Sequence, residues 1–141
     1  MDSQACTIHR IISDVCIVAE GQVLLVRYLD VSKYDGQTGW FLPDDYLSRL
    51  EHPDEAAVRI VRQQVGVVPP PVALSHIESF GNGVWHIVFH YRLELPAVRT
   101  VPVLGNVKAV QWFPLGSLPE PEQVGHHGWA LHTIRKVLSG E

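Results

Sequence analysis

A proline at position 53 and a glycine at 66, followed by three successive prolines at 69 to 71, confine one segment to a helix of set length. Proline suits the first turn, and Asp54 and Glu55 follow where a helix presents its positive end. Ala56, Ala57, Ile60, Val61 and Val65 recur on one stripe, so the helix buries a single face. The flanks read differently. Ile11 to Ala19 and Gln22 to Tyr28 are β-rich runs joined by Glu20-Gly21, a hairpin signature. Leu74 to Phe80 and Val84 to Leu95 form a second hairpin around Gly81-Asn82-Gly83. Gly39 to Leu42 predicts a short strand ended by Pro43, residues 44–53 a loop, Asn106 to Phe113 a further strand, and Gly128 to Leu138 a closing helix. The order ββ(β)αββ–β–α predicts an α+β fold, a sandwich around one mixed sheet, with residues 1–141 as one domain.

Composition narrows the partners. A net charge of −4 offers no attraction to nucleic acid or to an anionic membrane, and no block of like charge appears. No apolar run approaches the roughly 20 residues a membrane helix needs, and Met1 to Arg10 has no secretory pattern. Cys6 and Cys16 show no metal or disulfide spacing, so two small apolar residues in a reducing, cytoplasmic setting are expected. A small-molecule ligand is the expected partner, with room left for a homodimer.

Leu42 to Glu51, continuing through the helix to Gly66-Val67, resembles the Nudix box without a gap. That signature is a glycine, five residues, a glutamate, seven residues, then Arg-Glu-aliphatic-x-Glu-Glu-x-Gly-aliphatic. Glu51 matches the first glutamate, Arg59 the arginine, Val61 the aliphatic residue, and Gly66-Val67 the end. Trp40-Phe41-Leu42-Pro43 resembles the strand entering the box, and Val110 to Leu115 the later family strand. The resemblance implies a Nudix-type α/β/α sandwich in which Glu51, Arg59 and Gly66 act as box scaffold.

The departures bear on chemistry. Asp45 stands where the motif has glycine, with Asp44 before it, and Ile60, Gln63 and Gln64 stand where the family has helix glutamates. In the family those carboxylates hold the magnesium ions that bridge substrate phosphates. Positions 60, 63 and 64 do share a helix face by spacing, but the face is uncharged. Magnesium wants oxygen ligands that include one or two carboxylates. Losing it removes several kcal/mol of stabilisation from a departing phosphate, at about 1.4 kcal/mol per tenfold in rate. Magnesium at the box, and hydrolysis by the family mechanism, are therefore not expected.

Replacement chemistry points to the second hairpin, near where this family builds its substrate cleft. The chain has eight histidines. Strand alternation puts His76 and Glu78 on one face and His86 and His90 on the same face of the partner strand. With a three-residue turn, Glu78 lies opposite His86 and His76 opposite Val88. His76, Glu78, His86 and His90 are then metal-ligand candidates, for Fe, Mn or Zn, and Glu78 and His86 acid–base candidates. Positions 76 and 78 lie about 6.6 Å apart, whereas His86 and His90 span about 13 Å, which is stretched for one ion. His126, His127 and His132 read as helix-end and packing residues.

Three functions follow as expectations. The first is a Nudix-superfamily enzyme using its pocket for small-molecule chemistry other than magnesium-dependent hydrolysis. The second is a catalytically silent binding domain for a nucleotide-like ligand, with Arg27, Arg49, Arg62 and Lys108 as substrate-binding cations. The third is residual nucleoside-diphosphate-derivative pyrophosphohydrolase activity through Asp44, Asp45 and Glu51.

Overall fold

The computed structural model describes residues 9–69, 71–81 and 83–139. Cys6, Pro70 and Asn82, and most of the amino-terminal stretch discussed above, lie outside the described residues. Six strands and two helices carry the architecture: β1 (His9–Ala19), β2 (Gln22–Tyr28), β3 (Asp44–Tyr46), α1 (Pro53–Ile60), β4 (Ala73–Phe80), β5 (Trp85–Glu94), β6 (Val107–Pro114) and α2 (Gly125–Leu138). The sheet runs β4-β5-β1-β2-β6, with β3 also on β1. The β1–β5 pair is parallel and the remaining pairs are antiparallel, so the sheet is mixed.

Glu20 and Gly21 both take positive φ, which matches the twist of the tight β1–β2 hairpin. Alternation then assigns β1 to both faces of the sheet. Val15 and Ile17 join Leu24, Tyr91, Leu93 and the α1 residues Ala57 and Ile60 in one core. Cys16 and Val18 join Val23, Leu25, Trp40 and the α2 residues Leu131 and Ile134 in the other. Each helix thus buries one stripe on its own face of the sheet, giving the α/β/α sandwich.

The helix begins as the residue types require. His52 caps it, accepting from the Asp54 amide while Glu55 reaches back to the His52 amide, and Pro53 occupies the first turn. Past Ile60 the backbone widens into a π turn over Val61–Val65, and Gly66 ends it at φ 76°.

Two expectations are revised. Gly39 to Leu42 forms no strand: Phe41 and Trp40 make single bridges to Val26 and Val124. Trp40 and Leu42 are instead held by the α2-side core, and the strand forms later, where Asp44–Tyr46 pairs with Ile12–Asp14. The second hairpin is also shifted by two residues, with His76 opposite His90, Glu78 opposite Val88, and Phe80 opposite His86. A bulge between Leu74 and His76 accompanies the shift. At the turn Gly81 sits at φ 134°, where a Cβ would lie 2.0 Å from the Val84 carbonyl oxygen. An even shift leaves every side chain on its face and changes only its partner.

Ile60 is fully buried in the α1-side core. Ile60→Ala is expected to cost about 2–5 kcal/mol of folding stability, read as a lower urea midpoint at unchanged slope.

Candidate functional site

Arg59 organises the box. Its Nε donates to Glu51 Oε2 at 2.9 Å and one terminal nitrogen to Glu51 Oε1 at 3.0 Å, a two-pronged pairing. The same guanidinium donates to Asp45 Oδ2 at 3.0 Å and to the Tyr46 carbonyl at 2.9 Å. Lys33 donates to the other Asp45 oxygen at 2.8 Å. Asp45 and Glu51 are thereby committed to ion pairs. The Arg59 hydrogen bond holds the Glu51 carboxyl below its ordinary range. For Asp45, burial pushes upward, but the bonds from Lys33 and Arg59 outweigh it and the net shift is downward.

The helix positions that would carry glutamates are occupied differently. Ile60 lies in the core. Gln63 is exposed, its nearest polar contact an Arg59 nitrogen at 3.4 Å. Gln64 accepts from the Tyr28 hydroxyl at 2.8 Å and donates to the Asp44 carbonyl at 2.8 Å, so its amide is spent on tying the π turn that follows α1 to β2 and β3. No carboxylate projects from this face, and the residues present do not fit a magnesium ion.

Beside the box, under α2, a cavity of about 190 Å³ opens. Tyr34, Phe41, Tyr46 and Trp129 supply aromatic walls, Ile12, Leu42, Val88 and Ala130 aliphatic ones. Its polar lining is Asp14, Asp44, Asp45, His86, His126 and Lys33. Asp44 Oδ1 is buried without a hydrogen-bond partner among the described residues. Burial, then the charges of Asp14 and Asp45, push the Asp44 carboxyl well above its usual range, toward the neutral form that can donate. Phe80 stacks on His86 at 5.0 Å and packs on Trp129 at 4.6 Å, closing the α2 side of the site.

Strand register builds a second feature behind this cavity. Asp44 pairs with Asp14, Asp14 with His90, and His90 with His76, so four titratable residues cross β3, β1, β5 and β4 in one row. His90 is fully buried, with Nδ1 at 2.8 and 2.9 Å from the two Asp14 oxygens and Nε2 at 2.6 Å from Glu78 Oε1. Burial opposes charge on this ring, but Asp14 and then Glu78 outweigh it, and the net shift is upward.

The four hairpin candidates therefore divide. His76, Glu78 and His90 converge, while His86 lines the cavity instead. Glu78 and His86 do not meet. Arg27, Arg49, Arg62 and Lys108 do not line the cavity. Arg27 packs over the Trp40 ring at 4.5 Å, and Arg49, Arg62 and Lys108 are exposed. Sequence reasoning missed Asp14, Lys33 and Trp129. Asp14 had one available signal, a lone acid inside an apolar strand, which is costly unless partnered.

A family model described as NUDIX domain matches residues 9–132. No curated protein matches the sequence. Among solved structures, the chain is similar to a MutT NUDIX hydrolase from Burkholderia pseudomallei, at TM-score 0.74 and 20% identity over 92% of this chain and 98% of that one. It is also similar to the NUDIX domain of Shewanella oneidensis NrtR complexed with ADP ribose, at TM-score 0.74 and 18% identity over 99% and 92% of the two chains. The Escherichia coli dihydroneopterin triphosphate pyrophosphohydrolase superposes at TM-score 0.69, with 14% identity over 94% and 96%.

Arg59→Ala is expected to cost about 1.5–3 kcal/mol at pH 7 through its charged hydrogen bonds. Because Asp45 and Glu51 titrate below their ordinary values, their stabilisation is present above about pH 4 and is lost as pH falls through the folded values. Urea unfolding at pH 7 and pH 3 should therefore show a wild-type advantage that shrinks in acid.

Proposed function

We propose that this chain, which belongs to the NUDIX family, is a binding domain for a nucleoside-like small molecule and does not carry out magnesium-dependent diphosphate hydrolysis. One observation carries the reading: the cavity beside the box is walled by aromatic rings, while the box carboxylates Asp45 and Glu51 are already held by Arg59. Tyr34, Phe41, Tyr46 and Trp129 suit the faces of a flat heteroaromatic ring. Asp14 offers an acceptor, and Asp44, whose carboxyl burial pushes toward the neutral form, a donor for its polar edge. Lys33, the one lysine in the lining, is already paired with Asp45, so among the described residues no cation is left free there to meet a bare polyphosphate, which favours recognition through the base over recognition through phosphate. The Shewanella NUDIX domain complexed with ADP ribose supports this class, since that ligand carries such a ring.

Residual hydrolysis through Asp44, Asp45 and Glu51 has less support. Asp45 and Glu51 are held by Arg59 and Lys33, and Asp44 is driven toward its neutral form, so the set lacks the free charge a magnesium ion requires.

A second reading is an enzyme that works without the box. It is favoured by His86 and Asp44 lining the same cavity, an imidazole and a carboxyl whose burial favours its protonated form. Conversion of a bound ligand that is abolished in His86→Ala, with binding retained, would select it.

The main reading is tested by thermal shift and calorimetry with a panel of nucleosides and nucleotides in the presence of chelator. A ligand at a hundred times its Kd is expected to stabilise the fold by about 2.7 kcal/mol. Trp129→Ala should weaken binding by about 1–3 kcal/mol, the range for base stacking on an aromatic side chain. Brisk magnesium-dependent release of phosphate from nucleoside diphosphate compounds would overturn it.

A further inference from the structure

We infer that His76, Glu78 and His90 form a binding site for one divalent transition-metal ion, with zinc as the representative, distinct from both the box helix and the aromatic cavity. One ligating atom from each residue lies within 4.8 Å of the others. Two imidazoles and one carboxylate suit zinc, iron(II) or manganese, and suit poorly the oxygen-seeking magnesium of the box.

The stronger argument lies in what holds the two rings. His90 Nδ1 is fixed by both oxygens of Asp14, at 2.8 and 2.9 Å. His76 Nδ1 is fixed by the Ser75 hydroxyl at 2.9 Å, across the bulge that the hairpin makes there. Metal-binding histidines are oriented in this way: one ring nitrogen bonds to a carboxylate or other oxygen, and the opposite nitrogen is left to meet the ion. Here that opposite nitrogen is Nε2 in both rings. His76 Nε2 is buried and has no hydrogen-bond partner among the described residues. A buried imidazole nitrogen without a partner is a position something should fill.

The two rings stack with centroids 4.5 Å apart and planes 27° apart, so the half-buried His76 ring turns on its side-chain bonds to aim Nε2 at an ion shared with His90. Glu78 is the accessible member, its side chain 24% exposed beside the fully buried His90, and gives the ion an entry path. Without an ion, Glu78 Oε1 and His90 Nε2 share a hydrogen bond at 2.6 Å. On binding, the proton of that bond leaves to solvent, and the two atoms part to ligand distances of about 2.0–2.2 Å from the ion. Nothing is oxidised or reduced. Because Asp14 both braces His90 and lines the cavity, an ion here would sit directly behind the ligand pocket.

The test uses the full chain, treated with chelator and dialysed, then titrated with Zn²⁺ by calorimetry and with Co²⁺ by visible absorption. One ion per chain is expected, with the d–d bands of a low-coordinate cobalt site. His76→Ala and Glu78→Gln, both at partly exposed positions and with folding checked by circular dichroism, should each weaken Zn²⁺ at least about tenfold and abolish the bands. His132→Ala, at an exposed α2 position, should change neither. Absence of Zn²⁺ uptake by the wild type, or uptake unaffected by both hairpin variants, would overturn the assignment.

Discussion

The parallel ladder between β1 and β5, running from His9–Trp85 to Val18–Glu94, is the constraint on which the rest of the molecule depends. It places β1 inside the sheet, with β2 and β3 sharing its other edge, so almost every β1 side chain past Ile12 is buried. An acid at such a position must find a partner or give up its charge. Asp14 finds His90, the residue that the parallel register sets beside it. That alignment is the middle link of the cross-sheet row from Asp44 to His76, whose outer links are the β3 and β4 registers, and the aromatic cavity and the histidine cluster share the row.

The box keeps its scaffold while the side chains on its helix differ from the motif. Glu51, Arg59 and Gly66 keep their motif places, and Arg59 clamps Glu51 and gains Asp45 where the motif has glycine. Each position that would contribute metal-binding charge is reassigned, Ile60 to the core and Gln64 to a bridge between helix and sheet. An amide suits this last role because it donates and accepts at once, whereas a carboxylate in the same place would repel the Asp44 carbonyl. The surrounding hydrogen bonds have adapted to neutral side chains.

Charge is correspondingly relocated. Acids that the family would place on α1 and the turn after it are absent, while Asp14, Asp44 and Glu78 lie on the α2 face of the sheet. Burial separates their roles. Asp44 is driven toward the neutral form, Asp14 is paired with a histidine, and Glu78 keeps contact with solvent. The result is a pocket that offers rings and hydrogen bonds, backed by a cluster that offers nitrogen ligands.

Local signals in the sequence determined the elements and their faces. The Pro53 and Gly66 boundaries, the stripe from Ala56 to Val65, the Glu20-Gly21 turn and the Glu51–Arg59 pairing all act within a few residues or a continuous motif. So does the alternation that puts His76, Glu78, His86 and His90 on one side of a hairpin. Only the tertiary structure decided which of these meet. A two-residue shift in the second hairpin exchanges His86 for His90 without turning either ring to another face, and hydrophobic alternation is blind to an even shift. The partner that matters most to His90 lies 76 residues away, across a parallel pairing that no turn connects, so no local pattern could announce Asp14.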